Sequence, residues 1–148
     1  MIYTLSSLLR RKGYTRVKLK KVTSGHYICK IVLNGIPGVF IVDSGASHTC
    51  VGLDKETHFS LNSTKAEKQA ASASSADMDT RQSDENHLRI GNWEYFKQEL
   101  ILFDMTTVND ALAQLDEDPV DGILGADVLH HTKAVLDYRR SGLYLLKK

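Results

Sequence analysis

The residues best suited to chemistry sit where an apolar strand stops. Phe40-Ile41-Val42 runs directly into Asp43-Ser44-Gly45-Ala46-Ser47. A carboxylate at such a place faces burial, which costs several kcal/mol unless it is paired or hydrogen-bonded. Gly45 lets the backbone turn sharply and come close to another group. A carboxylate so placed is a candidate for general acid–base work. Ser44 with His48 suggests a serine nucleophile instead, but Val42 and Asp43 precede Ser44, so the Gly-x-Ser-x-Gly elbow is absent. Nearness in sequence also does not make a triad. Metal ligation by His48, Cys50 and His58, or by Asp127 with His130 and His131, lacks a Cys-x-x-Cys or His-Glu-x-x-His spacing. Adjacent histidines point to different faces of a helix. No metal and no organic cofactor is expected.

Short strands must position this loop. His26 to Leu33 is β-branched and aromatic, Asn34-Gly35 suits a tight turn with φ > 0 at both centres, and Gly38 to Val42 returns. Pro37 beside the turn fits a strand edge. Upstream, Leu5, Leu8 and Leu9 at helical spacing predict a short helix closed near Gly13. Val17, Leu19 and Val22 nearly alternate with basic residues, as on a half-exposed strand. Ser63 to Glu85 is polar, with Met78 its one large apolar residue. It reads as a mobile loop or as a long hairpin that orders over a ligand. Strands follow around Leu88-Arg89-Ile90 and from Tyr95 to Phe103. Thr106 or Thr107 is expected to cap a short helix through Val108, Leu112 and Leu115. Asp127 to His131 suggests a turn or two of helix, and Lys133–Tyr138 with Leu143–Leu146 a closing hairpin. Asp127 and Asp137 read as structural, one a helix-start acid and the other a strand-end group. Trp93, Tyr95, Phe96 and Phe103 read as packing residues, since acidic surroundings would repel a nucleic acid stacked on them. The pattern predicts a mainly β, barrel-like domain with one or two short helices.

Phe40 to Ser47 resembles the active-site loop of aspartic proteases. Some 80 residues on, Gly122-Ile123-Leu124-Gly125 resembles the apolar segment that packs beside that loop. Gly125 to Leu129, then Ala134 to Tyr138, are similar to the short helix and strand of the small, retropepsin-like members. The resemblance spans roughly residues 25–146 and implies a retropepsin-like fold over a single domain, residues 1–148, with half a site per chain. It implies Asp43 as the catalytic residue. Ser44, Gly45 and Ala46 would support its loop, and Ile123, Leu124 and Gly125 would pack beside it. It also implies a flap within about 66–86. Family flaps often carry a glycine near the tip, and residues 53–90 contain none.

The chemistry of that family needs two carboxylates sharing one proton around a water. Two like charges so close cannot both ionise easily, so their pKa values split and the pair titrates as a unit. This chain holds one Asp-Thr/Ser-Gly; Asp121-Gly122 lacks the hydroxyl residue. Activity therefore requires two chains, each giving Asp43 across a two-fold axis. The expected protein is an aspartic endopeptidase, a hydrolase acting as a homodimer on extended peptide or protein substrates. A catalytically silent, dimeric peptide-binding module on the same fold is the alternative. Segments 1–12 and 143–148 are the expected dimer contacts.

Composition sets outer limits. At 148 residues the chain can bury roughly 70% of the surface exposed when unfolded. A net charge of +1 gives no general case for nucleic-acid or membrane partners. The charge is uneven, however. Residues 1–21 carry seven Lys or Arg and no acid, and residues 99–127 carry eight Asp or Glu and no Lys or Arg. The two regions are either solvated surfaces or a matched pair, within or between chains. No secretory signal is visible, no run of ~18 apolar residues spans a membrane, and Cys29 and Cys50 are too few for a disulfide scaffold. A cytoplasmic location with both thiols free and partly buried is the expectation.

Overall fold

The computed structural model describes residues 3–66 and 79–147. Helix α1 (Leu5–Arg11) opens with a reciprocal cap. The Thr4 hydroxyl accepts from the Ser7 amide at 3.0 Å, and the Ser7 hydroxyl accepts from the Thr4 amide at 3.1 Å. Of its apolar stripe only Leu9 is buried, while Leu5 and Leu8 stay exposed. Strands β1 (Tyr14–Lys18) and β2 (Lys20–Lys21) follow, then the hairpin of β3 (Tyr27–Leu33) and β4 (Ile36–Val42). Asn34 and Gly35 turn it with φ of 51° and 82°, as an Asn-Gly turn requires. Pro37 pairs with Val32 on one side only, because β4's other neighbour reaches no further than Phe40.

The chain continues through β5 (Cys50–Gly52), β6 (Thr64–Lys65), β7 (Arg81–Ile90) and β8 (Trp93–Phe103). Helix α2 (Thr106–Ala113), β9 (Gly122–Leu124), α3 (Ala126–His131), β10 (Val135–Asp137) and β11 (Gly142–Leu146) complete it. Strands β3, β4, β9, β5, β8 and β7 are neighbours in that order, and β7 pairs back onto β3, which closes a six-stranded barrel. The molecule is mainly β, as its sequence predicts.

Two apolar clusters explain the run of apolar residues in β4. Phe40 points into the barrel, against Phe59, Leu33, Leu88 and Leu102. Ile41, one residue on, points to the opposite face with Ile101 and Ile123, beneath Met105 and Leu112. Successive side chains alternate faces, and here both faces are covered. Each fully buried side chain of this size contributes about 1.5–3 kcal/mol.

Two local expectations are corrected. Within the polar segment 66–86, residues 67–78 lie outside the described residues, but Arg81 to Asn86 belongs to strand β7 rather than to a loop, with its register shifted between Ser83 and Asn86 and Glu85 at a φ of 58°. Gln82 Oε1 is buried there without a partner among the described residues, but the buried Asn86 finds partners across the fold. The Asn86 amide donates to the Ser83 and Gln98 carbonyls, and Asn86 Oδ1 accepts from Asn34 at 3.0 Å. The base of the expected hairpin exists, since β6 pairs with the start of β7. Helix α2 is not capped by Thr106 or Thr107. The Asp104 carboxylate before the helix accepts from the Thr106 amide at 2.9 Å and from its hydroxyl, which lowers the Asp104 pKa. The helix ends at Ala113, leaving Leu115 exposed.

Strands β2 and β6 extend the barrel sheet beyond β3 and β7, and β1, β11 and β10 form a second sheet in that order. Its central strand, β11, buries Leu143, Tyr144 and Leu145.

Candidate active site

Asp43 follows the last residue of β4 and is half-buried. Its amide donates to the Leu124 carbonyl of β9 at 3.0 Å, so the parallel β4–β9 ladder fixes where it leaves the barrel. The chain then turns back on the carboxylate. The Gly45 N–H donates to Asp43 Oδ1 at 2.8 Å, and the Ala46 N–H donates to the Asp43 carbonyl at 3.2 Å. A Cβ on Gly45 would stand 3.1 Å from that same Oδ1. Ser44 and Gly45 are exposed, whereas Ala46 is fully buried in the second apolar cluster.

Ile123, Leu124 and Gly125 lie against this loop. Ile123 pairs with Ile41 and Leu124 with Val42. A Cβ on Gly125 would approach the His48 carbonyl oxygen to 2.6 Å and the Ala46 carbonyl oxygen to 2.8 Å. Without a side chain there, the Ala126 N–H reaches the Ala46 carbonyl at 2.6 Å. Gly122 is equally constrained, because a Cβ would meet the Cys50 carbonyl oxygen at 2.1 Å.

Sequence reasoning missed Thr49. This fully buried residue donates its hydroxyl proton to Asp127 Oδ1 at 2.7 Å and accepts from the Gly125 N–H at 3.0 Å. Asp127 also accepts from the Gln98 amide at 3.2 Å and from the Val128 N–H at 2.8 Å. It stands in the first turn of α3, as its reading as a helix-start acid required, but it also ties that helix to the Asp43 loop and to β8. A hydroxyl residue directly before the small, apolar Cys50-Val51-Gly52 was the available signal, since a buried hydroxyl needs a partner.

The rival groups separate. His48 Nδ1 lies 2.8 Å from Ser47 Oγ, its neighbour, and no contact joins His48 to Ser44 among the described residues. There, too, no three His, Cys, Asp or Glu residues gather as a metal site. His131 packs against Tyr95, with ring centroids 4.8 Å apart. Trp93 and Phe103 are core residues, but Phe96 is exposed and stacks on His87. Both cysteines are free and fully buried rather than partly so. Burial pushes the Cys29 thiol up to about 12. Cys50 also rises to about 12, by burial first and then by the charges of Asp127 and Asp43.

The sequence profile of a family described as aspartyl protease matches residues 29–128. No curated protein matches in sequence. Among solved structures the chain is similar to a retropepsin-like aspartic protease from Rickettsia conorii. They share 17% identity over 90% of this chain and 89% of that one, with a TM-score of 0.56. It is similar to EIAV protease complexed with the inhibitor HBY-793, at 15% identity over 80% and 98% of the chains and a TM-score of 0.56. The retroviral protease-like domain of Ddi1 from Leishmania major gives 10% identity, coverage of 80% and 86%, and a TM-score of 0.55. At these identities the likeness is one of fold: the barrel and its short helices match the retropepsin-like architecture.

Proposed function

The chain belongs to the aspartyl protease family, and from that premise we propose that it is an endopeptidase whose site forms when two copies each bring Asp43 to a shared two-fold axis. The observation that carries this is the state of the Asp43 loop in one chain. The carboxylate is oriented by the Gly45 N–H, yet Ser44 and Gly45 beside it are exposed, and the Ser44 hydroxyl has no partner among the described residues. A second loop facing the first would cover both and supply the second carboxylate.

The reaction then needs only these groups and a water. The ionised carboxylate takes a proton from the water as its oxygen attacks the peptide carbonyl carbon. The protonated carboxyl gives its proton to the carbonyl oxygen, yielding a tetrahedral diol. Collapse of the diol breaks the C–N bond, delivers a proton to the leaving nitrogen and restores one shared proton to the pair. An extended substrate would pair its backbone with strand or flap edges. A reducing, cytoplasmic setting suits the two free thiols.

For the dimer contact we infer a surface beside the expected chain ends. Residues 143–146 form the middle strand of their sheet, so both backbone edges of β11 are taken. The outer edge of β10 has no strand partner among the described residues. Next to it, exposed Tyr138 packs on Tyr27 with ring centroids 5.3 Å apart, and Tyr27 pairs with Val42, the residue before Asp43. Its place beside the strand that leads into Asp43 supports reading this surface as part of the dimer contact. Exposed Tyr3, Leu5 and Leu8 leave segment 1–12 as a further apolar contributor.

A peptide-library digest with wild type and Asp43→Asn tests the reading. Asparagine keeps the shape and removes the shared-proton chemistry. Cleavage is expected to fall at least about 10³-fold, the scale of a positioned acid–base group. Equal cleavage by both proteins would remove Asp43 from the mechanism.

A further inference from the structure

Away from Asp43 the surface opens into a cavity of about 960 Å³. None of Asp43, Ser44 and Gly45 lines it. One wall includes the continuous segment 16–22; another includes Glu117 to Val120, within the acidic stretch. Its floor includes Leu19, Val22, Ile28, Val39, Leu112 and Val120. Five cationic side chains stand around that apolar floor: Arg16, Lys18, Lys20, Lys21 and Lys30.

The two acids on the other wall do not balance these cations. Glu117 is already engaged, accepting from the Thr23 amide at 2.7 Å, and the charge of Lys20 acts on it. Arg16 is held by the Arg140 carbonyl at 2.9 Å. Lys18, Lys21 and Lys30 are exposed and carry no ion pair among the described residues. Lysines on an edge strand would by themselves only deter strand pairing, but here they rim an apolar trough. β2 is also the terminal strand of its sheet, so one backbone edge has no described partner. The lining holds no aromatic side chain, so it gives nucleic-acid bases nothing to stack on.

We propose that this groove is an exosite that holds an extended, acidic and apolar peptide segment, its carboxylates on Lys18, Lys21 and Lys30 and its alternate apolar side chains on the trough floor. Residues 16–22 would span roughly 23 Å at about 3.3 Å per residue, which sets the segment at about seven residues. Main-chain pairing and alternate side-chain pockets are how an added strand is recognised. As the substrate determinant of a protease, the groove rests on the preceding reading. Ile28 on its floor pairs with Ile41, two residues before Asp43, so the segment would dock on the hairpin that carries the carboxylate.

The test uses full-length Asp43→Asn protein, so that binding is read without cleavage. The probe is a fluorescein-labelled peptide of about seven residues alternating glutamate and valine, followed by anisotropy and by amide shift changes in NMR. Saturable binding with shifts centred on residues 16–22 and 28–30 is expected. The combined Lys18→Glu, Lys21→Glu and Lys30→Glu variant, its fold checked by the same spectra, should bind about tenfold more weakly, and added salt should weaken binding further. Undiminished binding by that variant would overturn the proposal. So would equal binding of a glutamine-for-glutamate peptide, tighter binding of an oligothymidylate, or a change of oligomeric state in the variant. Loss of peptide binding would leave hydrolysis at Asp43 standing, and an inactive wild type that still binds would leave the groove standing.

Discussion

Thr49 sets the local geometry more firmly than its distance from the reaction suggests. Its hydroxyl is fully buried and used twice, so Thr49→Val would leave one Asp127 oxygen and the Gly125 N–H short of a partner. A buried group left unsatisfied costs about 1–3 kcal/mol. Urea unfolding should show a loss of that size for Thr49→Val and a smaller one for Thr49→Ser, which keeps the hydroxyl. Asp43 was legible because a carboxylate closing an apolar strand is costly and must be explained. Thr49 was not, because its partner stands 78 residues away and hydroxyl residues are common at strand starts. The thiols offer a second check. With both pKa values near 12 and both side chains buried, neither cysteine should react quickly with a disulfide reagent at pH 8 while the protein is folded. Both should react once it is denatured. Fast reaction of either in the native protein would contradict the packing around the Asp43 loop.

Among the elements, those whose sequence carried its own signal matched expectation. The Asn34-Gly35 turn needs two positive φ values that few other pairs supply, and the β3–β4 hairpin follows from it. Gly122 to Gly125 was expected only as an apolar segment beside the Asp43 loop; that Gly122 to Leu124 is a strand was not legible, and its two glycines prove to stand where any Cβ would strike a neighbouring carbonyl. The start of β7 was hidden, because Ser83 and Asn86 are polar yet buried, and only the folded partners Asn34 and Gln98 make that tolerable. The edge character of β10 was hidden too, since sequence order does not show that β11 lies between β1 and β10. If β10 and Tyr138 form the dimer contact, Tyr138→Ala should raise the dimer dissociation constant about tenfold or more, the scale of a buried interface aromatic. Sedimentation would measure it. The monomer should keep its circular dichroism, because Tyr138 is 66% exposed in the single chain. An unchanged dissociation constant would move the contact elsewhere.

At the scale of the molecule, the uneven charge proves to be partly an internal match. Thr23 and Lys20 near the basic beginning meet Glu117 in the acidic stretch of the same chain, which lowers the Glu117 pKa. The surplus of lysines over acids along that seam leaves the groove net positive. A chain with one Asp-Ser-Gly makes assembly the central question, because one Asp43 cannot both take and give the proton. Mixing decides it most directly. Wild type at fixed concentration is titrated with Asp43→Asn, exchange is allowed to equilibrate, and peptide cleavage is recorded at protein concentrations where dimers are complete. If each site takes one carboxylate from each of two chains, an equal amount of inactive chain leaves about half the activity, and a tenfold excess leaves about one part in eleven. Activity that stays constant as the inactive chain is added would show that each chain works alone, and the two-chain site would be wrong.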